Sequence, residues 1–168
     1  SKKQNDNFSD AYRHNNWIYY RQYSSSSKMN ILFLQGPNLN LLGIKSVNTK
    51  SKLTLDKLNK AVKEESKELD INLKTLQTHK EFQAINFLQR NRNWANGLIF
   101  IPTSWARNNY TILETILLIK IKTAIIYFNN DFSFGTNQEK SIIKGQKLKN
   151  FEGSPISICK EALGYMIK

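Results

Sequence analysis

The sequence predicts an α/β fold in which a five-stranded parallel sheet carries helices on both faces. Short, continuously apolar segments alternate with longer segments whose apolar residues recur at helical spacing. This alternation is typical of parallel sheets, whose strands are joined by helical crossovers. Five strands favour the flavodoxin-like order, in which ligands bind beyond the carboxyl ends of the strands. The predicted domain covers residues 29–168 and follows an extension over residues 1–28.

The first half of the domain contains two predicted strands and two predicted helices. Residues 31–34 are continuously apolar and run into Gln-Gly-Pro-Asn, which indicates a buried strand entering a loop. Thr54 can cap a helix, because Leu55, Leu58, Val62 and Leu69 follow it at helical spacing. Residues 71–77 form the second predicted strand, and residues 81–93 the next helix.

The second half continues the same alternation. Residues 97–101 form a short apolar strand that Pro102 stops, and Asn109 opens a helix. The strand at 124–128 follows. The last strand is predicted over residues 155–159, and the last helix over 160–167.

Charge and composition limit the classes of function. The net charge of +12 and the pI near 9.8 predict attraction to phosphate, anionic lipid or an acidic protein surface. No apolar run approaches the roughly 20 residues that cross a bilayer, so a membrane-spanning segment is not expected. Cys159 lies in an apolar run and is predicted to be a buried thiol. The two histidines, His14 and His79, lack the spacing of a metal site, and we expect neither a metal nor a cofactor.

The extension is basic, polar and aromatic. Arg21-Gln22-Tyr23-Ser24 resembles a mitochondrial presequence cleavage point, which predicts a mitochondrial location. An aromatic cluster too short to form its own core is most easily ordered by a partner surface. We therefore expect partner contacts from Trp17, Tyr19, Tyr20 and Tyr23.

The loop after the first strand carries the longest motif. Residues 35–43 read Gln-Gly-Pro-Asn-Leu-Asn-Leu-Leu-Gly, which resembles the motif of type II dehydroquinases except that Gln35 replaces an asparagine. The resemblance continues to the C-terminus through Thr54-Leu55, Gln77-Thr78, Glu81, Gly97, Pro102 and Gly164-Tyr165. It implies the flavodoxin-like fold and an enzyme that dehydrates 3-dehydroquinate through an enolate, in trimers or dodecamers.

The resemblance also shows which residues stand where the family places its reactive groups. Only Asn38 is unchanged. The lid arginine falls on Lys45, the base tyrosine on Lys50, an oxyanion-binding asparagine on Ile101, the acid histidine on Arg107, a second histidine on Tyr127 and a late arginine on Phe134. An isoleucine cannot bind an oxyanion, and an arginine cannot usefully donate a proton at neutral pH. These replacements predict that the chemistry of the family has been lost.

Our first hypothesis is therefore a non-catalytic structural subunit of a large mitochondrial assembly. Because the chain is basic, a mitochondrial ribosome with RNA or protein contacts is preferred over a respiratory-chain complex. Its partners would be other protein subunits, with ribosomal RNA as a further candidate, and the trimers or dodecamers of the family would be lost.

Two alternatives stay open. One is an enzyme with an altered, lyase-like active site, in which Lys45 or Lys50 and Arg107 converge on an anionic substrate. The other is a small-molecule binding module that retains a vestigial polar crevice formed by Asn38, Thr103, Ser104, Asn129 and Asn130. Phe128, Phe132 and Phe134 predict either a collapsed pocket, which we favour, or a docking surface.

Overall fold

The computed structural model describes residues 28–168, which are built around a five-stranded parallel sheet. The strand order is β2-β1-β3-β4-β5, and all four pairings are parallel. This is the flavodoxin-like order, so the predicted fold class is confirmed. The strands are β1 (Met29–Gln35), β2 (Ile71–Gln77), β3 (Gly97–Ile101), β4 (Lys122–Phe128) and β5 (Leu148–Gly153).

Helices cover both faces of the sheet, as predicted. One face carries α2 and α5, and the other carries α3 and α4. The helices are α1 (Leu42–Lys45), α2 (Leu55–Glu68), α3 (Glu81–Asn91), α4 (Tyr110–Ile119) and α5 (Pro155–Met166), and 3₁₀ turns lie at Leu39–Leu41, Thr103–Arg107 and Asn130–Phe132.

The central strands β1, β3 and β4 are largely apolar because both of their faces are covered. Successive side chains of β1 point to opposite faces. Ile31 and Phe33 therefore join the core beneath α2 and α5, whereas Leu32 and Leu34 join the core beneath α3 and α4. The predicted cap of α2 is also present, since the Thr54 hydroxyl accepts the backbone N–H of Lys57 at 3.2 Å.

The predicted helix over residues 160–167 is present as part of α5, but the strand predicted before it is wrong. Residues 155–159 are not a strand but the first turns of α5, with Pro155 in the first turn. Their apolar side chains belong to a helical stripe whose buried members are Pro155, Ile158, Cys159, Ala162, Leu163 and Met166. The fifth strand instead lies at the edge of the sheet, where exposed polar residues interrupt the apolar pattern on which the prediction depended.

Cys159 is buried, as predicted, and its burial raises the pKa of the thiol. The extension, with Trp17, Tyr19, Tyr20 and Tyr23, lies outside the described residues apart from Lys28, so its partner contacts stay a prediction. Within residues 28–168, no helix is both long and apolar enough to cross a membrane.

Candidate active site

The loop after β1 is fastened to the loop after β3. The backbone N–H of Gly36 donates to the carbonyl of Ile101 at 2.8 Å, and the Thr103 hydroxyl donates to the carbonyl of Pro37 at 2.8 Å. A Cβ at position 36 would overlap the Pro102 carbonyl and lie 2.9 Å from the Thr103 hydroxyl oxygen. Only glycine permits this approach, which explains the Gly-Pro-Asn motif at this position.

Asn38 connects this loop to the end of β2. It has a φ of 68°, a left-handed conformation that asparagine tolerates better than most residues. Its backbone N–H donates to Nδ1 of His79 at 3.1 Å, so the proton of the neutral imidazole is on Nε2. Sequence reasoning assigned His79 no role, although the residue follows a predicted strand and should lie at the carboxyl edge of the sheet.

The loop after β4 lies against both of the other loops. A Cβ on Gly135 would lie 2.6 Å from Cα of Ser104, and Gly135 has a φ of +72°. Its carbonyl accepts a hydrogen bond from the Arg107 guanidinium. On the other side of the loop, the Lys45 ammonium lies 6.0 Å from the ring centroid of Phe134. The three loops therefore form one contiguous edge beyond β1, β3 and β4.

Three phenylalanines fill the space beneath this edge. Phe128 is 3% exposed and belongs to the core under α2 and α5, and Phe132 and Phe134 pack against the same core. Phe128 is thus part of the core, whereas Phe132 and Phe134 are only partly buried, so the choice between a collapsed pocket and a docking surface stays a prediction. Trp105 packs half-buried on the other face, with its ring centroid 6.5 Å from that of Phe100.

A cavity of about 360 Å³ remains open at the same edge, and we call it the Arg107 cavity. Its polar lining combines two cations with hydroxyl and amide groups. The lining residues are Arg107, Ser133, Gly135, Thr136, Asn137 and Lys140. No carboxylate lines it, so it suits an anion. The sequence identified Arg107 as occupying a reactive position but did not reveal Lys140, because the two residues meet only through the fold of the β4 loop.

The convergence predicted for an altered active site is not seen among the described residues. Neither Lys45 nor Lys50 lines the Arg107 cavity, and the second cation there is Lys140. Ile101 is 2% exposed and belongs to the core. Which of the predicted positions acts chemically stays a prediction.

Residues of the polar crevice proposed for a binding module take part in contacts between the loops. The Thr103 hydroxyl bonds Pro37, and Gly135 packs against Ser104. The backbone N–H of Asn129 donates to the carbonyl of Gly153 at 3.0 Å, and Asn130 has a φ of 52°. Within residues 28–168, no group of three or more His, Cys, Asp or Glu side chains is arranged to hold a metal ion.

Tyr127, which stands where the resemblance places a histidine, is a buried neutral phenol. Its hydroxyl donates to the Ser141 hydroxyl, which in turn accepts the backbone N–H of Ile143 at 3.0 Å. Burial raises the pKa of Tyr127 to about 12. The residue therefore stabilises the packing of the β4 loop and does not supply a base at neutral pH.

The model of the family described as Dehydroquinase class II matches residues 29–166. The chain belongs to this family. The 3-dehydroquinate dehydratase of Clostridium acetobutylicum is 30% identical over 114 residues, which cover 68% of this chain and 79% of that protein. The enzyme of the same name from Dictyoglomus turgidum is 30% identical over 107 residues, covering 61% of this chain and 74% of the relative.

A solved structure supports the fold. The type II dehydroquinase of Butyrivibrio crossotus superposes with a TM-score of 0.73 at 22% identity, covering 84% of this chain and 99% of that chain. At 22% identity, this similarity establishes the fold of the dehydroquinase-like domain. It does not establish which reaction the chain catalyses.

These comparisons correct our first hypothesis. The relatives carry the name of an enzyme, and they are dehydratases rather than ribosomal or respiratory subunits. The interpretation of the chain as a pseudoenzyme and structural subunit of a mitochondrial ribosome or respiratory complex is therefore wrong. It inferred inactivity from replaced residues alone. The mitochondrial location is a separate prediction and stays one.

We predict that Gly36→Ala lowers the free energy of unfolding by about 1–3 kcal/mol, because the new methyl group overlaps the Pro102 carbonyl. Gly164→Ala is the matched control. Position 164 lies in α5 with no atom within 4 Å of a new Cβ, so this change should stabilise the helix by up to about 1 kcal/mol. Urea unfolding measures both. Equal effects of the two changes would contradict the role of Gly36.

We also predict that ionisation of Tyr127 lowers the free energy of unfolding at alkaline pH. Its folded pKa of about 12 exceeds the ordinary value of 10.0, so its stabilising contribution is complete below about pH 10 and is lost as the pH rises towards 12. Between pH 9 and 12, the wild type should lose up to about 2–3 kcal/mol more than Tyr127→Phe in urea unfolding. Tyr110→Phe, a change at an exposed residue, should follow the wild type. Parallel curves for wild type and Tyr127→Phe would refute the assignment.

Proposed function

We propose that this chain is an enzyme of the dehydroquinase family with an altered active site, which eliminates water from a small hydroxylated carboxylate. The observation that carries the proposal is the Arg107 cavity. It lies at the carboxyl edge of the sheet, where ligands of this fold bind, and it presents two cations without a carboxylate. Because the relatives are named for 3-dehydroquinate, that compound is the first substrate to test.

Arg107 and Lys140 supply the anion-binding groups of the proposed site. A guanidinium can bind a carboxylate with two parallel N–H groups, and an ammonium adds a compact point charge. Arg107 also donates to the carbonyl of Gly135, which orients its side chain along the wall of the cavity. The same positive charge would stabilise an enolate oxygen as it develops.

Departure of the hydroxyl needs a different group, since arginine keeps its proton at neutral pH. We assign to His79, the one histidine in the described part of the chain, the hydrogen bond that stabilises the departing hydroxide. Its Nδ1 accepts the backbone N–H of Asn38, so Nε2 carries the proton and can donate to that oxygen. The proton lost from carbon passes to solvent water and combines with the released hydroxide, so that one molecule of water forms for each enone. The carboxylate of Glu81 accepts the side-chain amide of Asn109 at 2.9 Å, a bond that holds the turn after β2 against the segment that follows Arg107.

The groups differ from those that the resemblance implies for the family. Lys50 and Phe134 stand where a basic tyrosine and an arginine are expected, and Phe134 is packed into the core edge. The proposed enzyme holds its substrate from one inherited position, Arg107 after β3, and from Lys140 in the β4 loop. This changed set of groups supports a substrate preference of its own within the class of hydroxylated carboxylates.

The purified full chain should convert 3-dehydroquinate, or a related 3-hydroxy ketone that carries a carboxylate, to the conjugated enone, followed by ultraviolet absorbance. Arg107→Gln should lower kcat/KM by about 100-fold, because it removes the principal anion-binding donor. Arg90→Gln is the matched control, since Arg90 is exposed on α3 and does not line the Arg107 cavity. Absence of turnover and of carboxylate binding in the wild type would disprove the proposal.

The role of His79 has its own test. His79→Gln should lower kcat by about 100-fold with little change in KM, because it removes the donor to the leaving oxygen and leaves the anion-binding groups in place. Lys80→Gln changes the exposed neighbouring residue and should leave both parameters unaltered. A wild-type kcat in His79→Gln would show that another group assists the leaving hydroxyl.

A further inference from the structure

A second cavity, of about 590 Å³, lies between the start of α2, the start of α5 and the turn after β4. We call it the lysine cavity, because Lys52, Lys57 and Lys160 line it. None of its lining residues also lines the Arg107 cavity. It is therefore a separate site that the proposed reaction does not use.

The positive charges around the lysine cavity are poorly neutralised. Lys160 lies 4.0 Å from Glu65, and both side chains are partly exposed, so this pair is weak. Lys57 points its ammonium to the carbonyl of Lys52 at 3.5 Å. Among residues 28–168, no carboxylate lies within salt-bridge distance of the ammonium of Lys52 or Lys57. The three ammonium groups repel one another, and a bound anion would offset that repulsion.

One wall of the lysine cavity is apolar. Leu53, Phe132 and Ile156 line it and pack against the core under α2 and α5, each of them only partly buried. The Ser157 hydroxyl adds a polar group beside this wall. Inorganic phosphate would satisfy the lysines but leave the apolar wall in water. The lining therefore fits a ligand with an anionic head and an apolar body.

We propose that the lysine cavity binds a phosphate monoester whose organic part is an apolar ring. A phosphate monoester carries nearly two negative charges and three terminal oxygens at neutral pH, which matches three ammonium groups better than a carboxylate does. Lysine binds phosphate as a point charge and needs no fixed fork geometry. The volume of the cavity also lies in the range of about 300–1,000 Å³ that is usual for small-molecule sites.

Phenyl phosphate is the probe for this proposal, with inorganic phosphate and phenol as the two comparison ligands. Titrated into the full chain, it should shift backbone amide signals in residues 51–57 and 154–160. Its affinity should exceed that of inorganic phosphate by about tenfold through contact of the ring with the apolar wall. Affinity should fall as NaCl is added, because salt screens the lysines. Absence of binding, or equal affinity for phenyl phosphate and inorganic phosphate, would overturn the proposal.

Substitutions of the lining lysines test whether phenyl phosphate binds in the lysine cavity. The double change Lys52→Gln with Lys160→Gln should weaken phenyl phosphate binding by about tenfold or more, since it removes two of the three charges. Lys67→Gln is the matched control, because Lys67 is exposed on α2 and does not line the cavity. In Arg107→Gln, phenyl phosphate should shift the amide signals of residues 51–57 and 154–160 as it does in the wild type, which separates this site from the proposed active site. An equal loss in Lys67→Gln would show attraction to the general positive charge and refute a built site.

Discussion

The close approach of two backbones at the carboxyl edge of the sheet determines the rest of the site. β1 and β3 are adjacent central strands, and their pairing places Gln35 opposite Ile101 at the last position of both. The next residue, Gly36, then meets the Pro102 carbonyl without room for a side chain. Because both loops leave the sheet from this fixed contact, the positions of Asn38 on one side and Arg107 on the other follow from it.

Residues that pack against the core and residues that line the Arg107 cavity alternate along the loop after β4. Phe132 and Phe134 turn inward and pack against the core, whereas Ser133 lines the Arg107 cavity. Gly135 then allows the chain to pass over the turn that ends at Arg107. The apolar residues thus hold the loop in place, and the polar residues between and after them make the lining. A change in either set would alter both the closure of the core and the shape of the cavity.

The sequence predicts four of the five strands and misses the fifth. The strand at 97–101 was predicted at its observed bounds because it is covered on both faces and is stopped by Pro102. The edge strand at 71–77 was also predicted at its observed bounds. The fifth strand was missed because Lys149 and Glu152 face solvent and leave no apolar run. Arg107 was found through its motif position. Lys140 could not be found in this way. It lines the same cavity as Arg107 only because of the path of the β4 loop, which no local sequence pattern predicts.

The replacement of the family's reactive residues argues strongly against the mechanism of the family. It argues much less strongly against catalysis by other residues of this chain. Loss of a base tyrosine and an acid histidine excludes a reaction carried by those groups, but a fold of this type presents other loops at the same edge. Arg107 occupies an inherited position and lines the same cavity as Lys140 of the β4 loop. A cation in place of an acid favours binding of negative charge over donation of a proton. In the proposed mechanism, the leaving group is then assisted from a neighbouring loop, where His79 is held by the backbone of the motif that first indicated the family.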